Sequence, residues 1–481
     1  MSRNYCNMVN ICADGLIDVI TDNYENAEER IDKWLGEYLD DTEIGCMVFN
    51  TCYHISYIPS EVWDTAWQKT DGRKITAEAL KEKKHWSHKF VTAHELGVEP
   101  YTIAIEKTHN RGAKAFLSVR MNEYHYLNNN DASALFWQEH PEFRIGEDKP
   151  FDYSHKEVRD YYLAYIKELC TNYDIDGIEL DMLRGPEYFN SVEDCTVLHN
   201  FIKEIRKEIN KIAEKKGKEI ILSARVNINN KNNIAVGYDA VQWAREKLVD
   251  ILVISNFFVP TSFYAPVGRW REKIGDSNCK IAVATDFCVF CTKWDEPHTR
   301  YLKNNTKTLK GFAASAYYGG ADGIYTFNVM LNGYTKDVDL NLDVDFKEFS
   351  SHDRAVKGER IHIYTYSDQF DEFLRLPTKS GIMRLSTADA PKEKYKIIVG
   401  TDAEPVPMVF LNGQKTEFVS RVEGAEYDPV RENKPFISEV SETAKYVYEY
   451  KPEKLSAVCA GVNELFIESI GNVIWLEIRV I

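Results

Sequence analysis

The run Asp176-Gly177-Ile178-Glu179-Leu180-Asp181-Met182-Leu183-Arg184 carries the densest chemistry in the chain. In an extended segment, side chains alternate between faces, so Glu179 and Asp181 share one face while Ile178 and Leu180 occupy the other. Two carboxylates on a buried face are costly unless they are paired or used. Asp181 is the candidate nucleophile or base, and Glu179, one step deeper, is its support or half of an ion pair with an inward arginine. A second run, Ser118-Val119-Arg120-Met121-Asn122-Glu123-Tyr124-His125, brings a guanidinium, an amide, a carboxylate and an imidazole within a few residues. A third, Ala284-Thr285-Asp286-Phe287, ends on another acid. Glu123 and Asp286 are the candidate general acids. Asn122, His125, Asn256, Asn328 and His54 are the candidate hydrogen-bonding contacts to substrate. Arg120, Arg184 and Arg225 have two readings: bidentate recognition of a substrate carboxylate or sulfate, or neutralisation of Glu179, Asp181 and Glu123. Tyr53, Trp63, Trp67, Trp86, Trp137 and Trp294 could stack on sugar rings or fill loop cores.

These residues fall at the ends of short apolar, β-branched runs. Eight such runs are present: Cys6 to Cys12, Gly45 to Cys52, Ala113 to Met121, Gly177 to Leu183, Glu219 to Val226, Asp250 to Asn256, Lys280 to Phe287 and Gly323 to Asn328. Most are joined by helix-length amphipathic connections, which predicts an α/β chain with a (β/α)8 TIM barrel. In that fold, reacting groups sit at the C-terminal strand ends and in the loops that follow, where the candidates above lie. The helices carry stop and start signals. Ser154 and Glu157 have capping-box spacing, Pro100 can open and Gly112 close the helix before the third strand, and Lys215-Lys216-Gly217 marks another helix end. The connection from Ser56 to about Leu96 is long enough to fold over the barrel mouth. After about Asp345 the texture changes to short alternating runs: Ile361 to Tyr366, Tyr395 to Val399, Met408 to Leu411, Tyr446 to Tyr450, Leu465 to Glu468 and Val473 to Val480. Turn pairs Asn412-Gly413 and Gly471-Asn472 punctuate them. The expected division is a barrel over residues 1–345 and an all-β sandwich over 346–481.

Composition narrows the function. The net charge of −16 argues against a sequence-independent grip on nucleic acid, which needs a basic face. No apolar run approaches a membrane span, and the start lacks a secretory signal, so a soluble, cytoplasmic protein without a membrane partner is expected. Ten cysteines scattered through strands and helices suit reduced thiols, and Cys288 and Cys291 form a lone CxxC without a second pair. The sequence lacks the early-strand HxH of metal-dependent barrel hydrolases, the CxxxCxxC of cluster enzymes and a glycine-rich dinucleotide fingerprint after the first strand. Neither metal nor cofactor is expected.

The run Phe151-Asp152-Tyr153-Ser154-His155-Lys156-Glu157-Val158-Arg159-Asp160-Tyr161, followed by Tyr173-Asp174-Ile175-Asp176-Gly177-Ile178-Glu179-Leu180-Asp181, resembles the bacterial family 10 glycosylhydrolase-like proteins. Arg120-Met121-Asn122-Glu123, Gly237-Tyr238-Asp239 and Gly320-Ala321-Asp322-Gly323-Ile324 are similar to the same group. The resemblance spans most of residues 110–330 and implies a TIM barrel with glycosidase activity. The fourth-strand pattern also looks like that of chitinases, whose acid would fall where this chain has Leu183. Asp181 matches by position the fourth-strand nucleophile of α-amylases and α-galactosidases, though no acid stands in Arg225-Val226-Asn227 or Ser255-Asn256-Phe257. The expected function is hydrolysis of a glycosidic bond by paired carboxylates, with an anionic (uronic or sulfated) sugar suggested by the arginines. The alternative is a non-catalytic carbohydrate-binding protein on the same scaffold. A carbohydrate is the expected partner, and self-association into a homo-oligomer stays open.

Overall fold

The computed structural model describes residues 3–21, 23–185, 187–192, 194–256, 261–290, 301–329, 344–366, 374–388, 394–422 and 444–481. Trp294 and Cys291 lie outside the described residues. The eight apolar runs become eight parallel strands: Asn4–Ile11, Ile44–Asn50, Lys114–Arg120, Gly177–Asp181, Ile221–Asn227, Ile251–Ser255, Lys280–Thr285 and Gly323–Phe327. They close into a barrel in which each strand neighbours the next and the eighth pairs the first. The second, fourth, fifth, sixth and eighth strands are buried along their whole length, because helices cover the outside while side chains fill the inside.

Register places the chemistry. The fourth strand pairs Arg120 of the third with Asp181, and the fifth pairs Asp181 with Arg225. One step deeper, Ser118, Glu179 and Ser223 are aligned in the same way. Partners in a parallel ladder face the same side, so both rows point inward. Glu179 and Asp181 are both buried on that face, as their spacing of two predicts.

The helices hold the strands by apolar stripes. Thr196–Lys216 buries Leu198, Phe201, Ile202, Ile205 and Ile209 and stops at Gly217, whose φ of 61° suits a residue without Cβ. Pro100 occupies the first turn of Pro100–Asn110, and Gly112 follows it at φ 70°. The capping box expected of Ser154 and Glu157 does not form. The helix Lys156–Asn172 begins after His155 with no side-chain cap. Asp152 instead accepts the Ser154 N–H at 2.9 Å, and Arg159 donates to the Ser154 carbonyl at 2.9 Å, which ties the entry to flanking residues.

The stretch from Ser56 to Leu96 after the second strand holds two helices, Ala77–Glu82 and His88–Glu95. It is latched by a buried cation: Lys69 donates to the Ser133 carbonyl at 2.6 Å and lies 3.5 Å from Asp64. Asp64 in turn accepts the Thr70 N–H at 2.7 Å. Loops following the second and third strands are thereby fixed to each other.

Two compact units divide the chain: the first holds the first six barrel strands, the second holds the eighth strand and the C-terminal sheet, and the seventh strand is shared between them. The C-terminal region is antiparallel and strand-rich, with seven strands among the described residues. Asn412 and Gly413, at φ 48° and 78°, turn Met408–Leu411 into Gln414–Val422, a hairpin with both central residues left-handed. The expected turn at Gly471-Asn472 is a correction. Val462–Val480 runs through it as one strand, pairing Thr378–Ser386 and Met408–Leu411 mainly with its first half and Arg360–Tyr364 and Tyr395–Thr401 with its second. Asp402 holds the joint, accepting the Asn472 N–H and its side-chain amide at 2.7 Å each. A Cβ on Gly471 would meet Asp402 Oδ1 at 2.3 Å, which is why glycine stands there.

Every described cysteine is a free thiol. Among the described residues, no helix is long and apolar enough to cross a membrane.

Candidate active site

Asp181 ends the fourth strand with 1% of its surface exposed. Its two carboxylate oxygens accept from one terminal nitrogen of Arg225 at 2.9 and 3.1 Å, and Oδ1 also accepts the Leu183 N–H at 3.0 Å. The other terminal nitrogen of Arg225 reaches Ser255 Oγ at 3.4 Å. Asp181 is therefore rigidly oriented by a charge-assisted contact from the adjacent strand and by its own turn.

Glu123 is fully buried just beyond the third strand. Arg120 donates to Oε2 at 2.7 Å, while Oε1 accepts the N–H groups of Tyr124 at 3.0 Å and His125 at 3.1 Å, together with a short contact from the His125 ring. Arg184 Nε stands 3.9 Å from the same carboxylate. Burial alone pushes the carboxyl up, but Arg120, the His125 hydrogen bond and Arg184 outweigh it and hold Glu123 well below the usual carboxylate range. A group kept anionic in this way suits a base, nucleophile or electrostatic role. Its surroundings disfavour the general-acid role expected from sequence, because a proton donor at neutral pH needs a raised pKa.

Arg120 has further partners. Its second terminal nitrogen donates to Cys12 Sγ at 3.3 Å, and its guanidinium carbon lies 3.9 Å from the centroid of the Tyr53 ring. Tyr53 donates to Asp14 at 3.3 Å. Around this group sits an aromatic rim. Tyr126 stacks on Tyr53 with centroids 6.1 Å apart, its hydroxyl accepts from Trp86 Nε1 at 3.2 Å, and Tyr124 stacks on His125 at 5.1 Å. Tyr124 and Tyr126 are each 40% exposed, and Tyr126 adopts φ 64°, a left-handed conformation that bulky residues adopt only where surrounding contacts impose it. Tyr124, Tyr126 and Cys12 were not among the sequence candidates. The alternation Glu123-Tyr124-His125-Tyr126 was the available signal for the rim.

Other candidates are placed differently. The Asn122 amide clamps backbone: Nδ2 donates to the Phe151 carbonyl at 3.1 Å and to that of Glu187, and Oδ1 accepts the Phe151 N–H at 3.2 Å. It shapes the mouth loops. His54 accepts the Ala134 N–H at 2.9 Å and stacks on Phe151, beneath those loops. Glu179 accepts from Ser118 Oγ at 2.8 Å. Asn256 is buried after the sixth strand. In the second unit, Asp286 accepts the Phe287 N–H at 2.6 Å, its carbonyl accepts from Asn304 at 2.6 Å, and Asn328 takes φ 54°. Trp63 stacks on Tyr165 and Trp137 lies under Arg144, both buried, so these two belong to loop cores, while the half-buried Trp67 stacks on His94.

No protein-family model matches the chain, and no curated relative matches it. Among solved structures, the chain is similar to alpha-L-fucosidase isoenzyme 1 from Paenibacillus thiaminolyticus, at 14% identity over 97% of this chain and 98% of that one, with a TM-score of 0.38. A maltogenic alpha-amylase from Thermotoga neapolitana matches at 9% identity over 99% of each chain, TM-score 0.40. A cycloisomaltooligosaccharide glucanotransferase from Paenibacillus sp. matches at 9% identity and TM-score 0.39 over all of this chain, which spans 58% of that enzyme's length. Identity at this level says nothing about substrate.

The buried imidazoles near the mouth give a pH signature. Burial pushes His54 down to about 3 and His85 down to about 4. The folded state thus refuses protons that the unfolded chain takes up near pH 6.5, so the contribution is complete above that pH and is lost as pH falls toward 4. Each such histidine is expected to cost about 1.4 kcal/mol of stability per pH unit across that window. Urea midpoints should fall steadily from pH 7 to pH 5, whereas a flat profile would mean that these rings are solvated.

Proposed function

We propose that the protein hydrolyses a glycosidic bond at the C-terminal mouth of its barrel, with Asp181 as nucleophile or base. The observation that carries this reading is Asp181 itself: an inward carboxylate at the end of the fourth strand, oriented by Arg225 and the Leu183 N–H. Such fixed geometry is what an attacking or base-acting carboxylate needs. Glu123, kept anionic beside the aromatic rim, stabilises positive charge that develops on the sugar in an oxocarbenium-like transition state.

The charge balance favours a neutral sugar over an anionic one. Arg225 is paired with Asp181, and Arg120 and Arg184 face Glu123. Drawing those guanidiniums to a substrate carboxylate would strip buried acids of their partners. The test is hydrolysis of 4-nitrophenyl glycosides of neutral sugars against the matching glucuronide and sulfated sugars. Neutral glycosides should be turned over with kcat/KM at least ~10-fold higher. Preference for the glucuronide would restore the anionic reading, and binding without turnover would point to a carbohydrate-binding role.

A further inference from the structure

Asn50 ends the second barrel strand, 2% exposed, yet neither Oδ1 nor Nδ2 has a hydrogen-bond partner among the described residues. Its position is not loose. Its carbonyl accepts the Tyr101 hydroxyl at 2.6 Å, and the next residue, Thr51, donates its N–H to the Ser118 carbonyl at 3.0 Å. Asn50 is in register with Ser118, whose hydroxyl donates to Glu179 at 2.8 Å, so the Asn50 side chain belongs to the same inward row. Arg120 Nε, above that row, likewise has no hydrogen-bond partner among the described residues. Buried polar groups are almost always satisfied, and an amide unsatisfied at both ends is a costly element to keep in a barrel wall.

We infer that Asn50 reads substrate, donating to one hydroxyl and accepting from its neighbour on a neutral sugar ring bound in the barrel mouth. A carboxamide offers a donor and an acceptor side by side, and hydroxyls on adjacent ring carbons offer the complementary pair. Asp181 and Glu123 are already held by arginine and, when ionised, only accept, so they do not supply this recognition. The inference rests on the sugar-processing reading and adds to it the residue that selects for vicinal hydroxyls.

Leucine has nearly the shape of asparagine without its polar atoms. The experiment compares wild type, Asn50→Leu and Asn50→Ala by thermal unfolding, alone and with glucose, galactose, xylose or fucose, and by hydrolysis of the corresponding 4-nitrophenyl glycosides. Asn50→Leu is expected to melt at or above the wild-type temperature, to lose the upward Tm shift that a monosaccharide gives wild type, and to drop kcat/KM by at least ~10-fold. Asn50→Ala should show the same two losses. The inference is overturned if either variant keeps the sugar-induced shift, or if both hydrolyse glycosides as wild type does; in that last case the hydrolase reading stands. A sugar shift that depends on Asn50, with no hydrolysis by wild type, upholds the inference and overturns the hydrolase reading. Wild type that neither shifts nor hydrolyses overturns both.

Discussion

Arg225→Met is expected to destabilise the protein by about 3–5 kcal/mol, because it leaves Asp181 buried without its cation. Arg225 and Asp181 are each 1% exposed, and the guanidinium contacts both carboxylate oxygens. The loss comes from the stranded carboxylate more than from the attraction removed. The double variant Arg225→Met/Asp181→Leu, which carries neither charge, should therefore regain most of the stability while remaining inactive. Urea unfolding at pH 7 measures both. A single-variant loss below about 1 kcal/mol would show that solvent reaches the pair, because exposed ion pairs contribute about that much.

Asp181→Asn is expected to lower kcat by at least ~10²-fold on any glycoside that wild type hydrolyses. The amide keeps an oxygen to accept from Arg225 and from the Leu183 N–H, so the fold and the barrel mouth should survive. What it loses is the negative charge that attacks the anomeric carbon or activates water. The effect belongs in kcat more than in KM if Asp181 acts on the transition state. Glu179→Gln, one row deeper and hydrogen-bonded to Ser118, should cost less activity. Equal losses for the two variants would point to a general disturbance of the barrel interior.

The barrel was legible because each strand is a compact apolar run and most are joined by amphipathic, helix-length connections, a pattern that local sequence carries. The inward placement of Glu179 and Asp181 was legible for the same reason: a period of two needs no knowledge of neighbours. Pairing was not. Whether Arg225 meets Asp181 or Glu179 depends on register between the fourth and fifth strands, which is fixed by packing over the whole sheet. Glu123 shows the same limit. As a residue type it can donate or accept a proton, and only the convergence of Arg120, Arg184 and His125 decides which. At Ser154 the capping signal was present, but Asp152 and Arg159 took the local groups. At Gly471-Asn472 a turn pair became a joint inside one strand because Asp402 satisfied it from outside. Asn50 gave no signal at all, since an asparagine at a strand end is ordinary until its partners are counted.

A crystal structure of Asp181→Asn soaked with a neutral glycoside that wild type hydrolyses tests the role of Asp181 most directly. The sugar ring is expected in the barrel mouth, with its anomeric carbon or the attacking water within about 3–3.5 Å of the residue 181 side chain. A glycoside bound away from the mouth, or in it with residue 181 out of reach of both, would contradict that role.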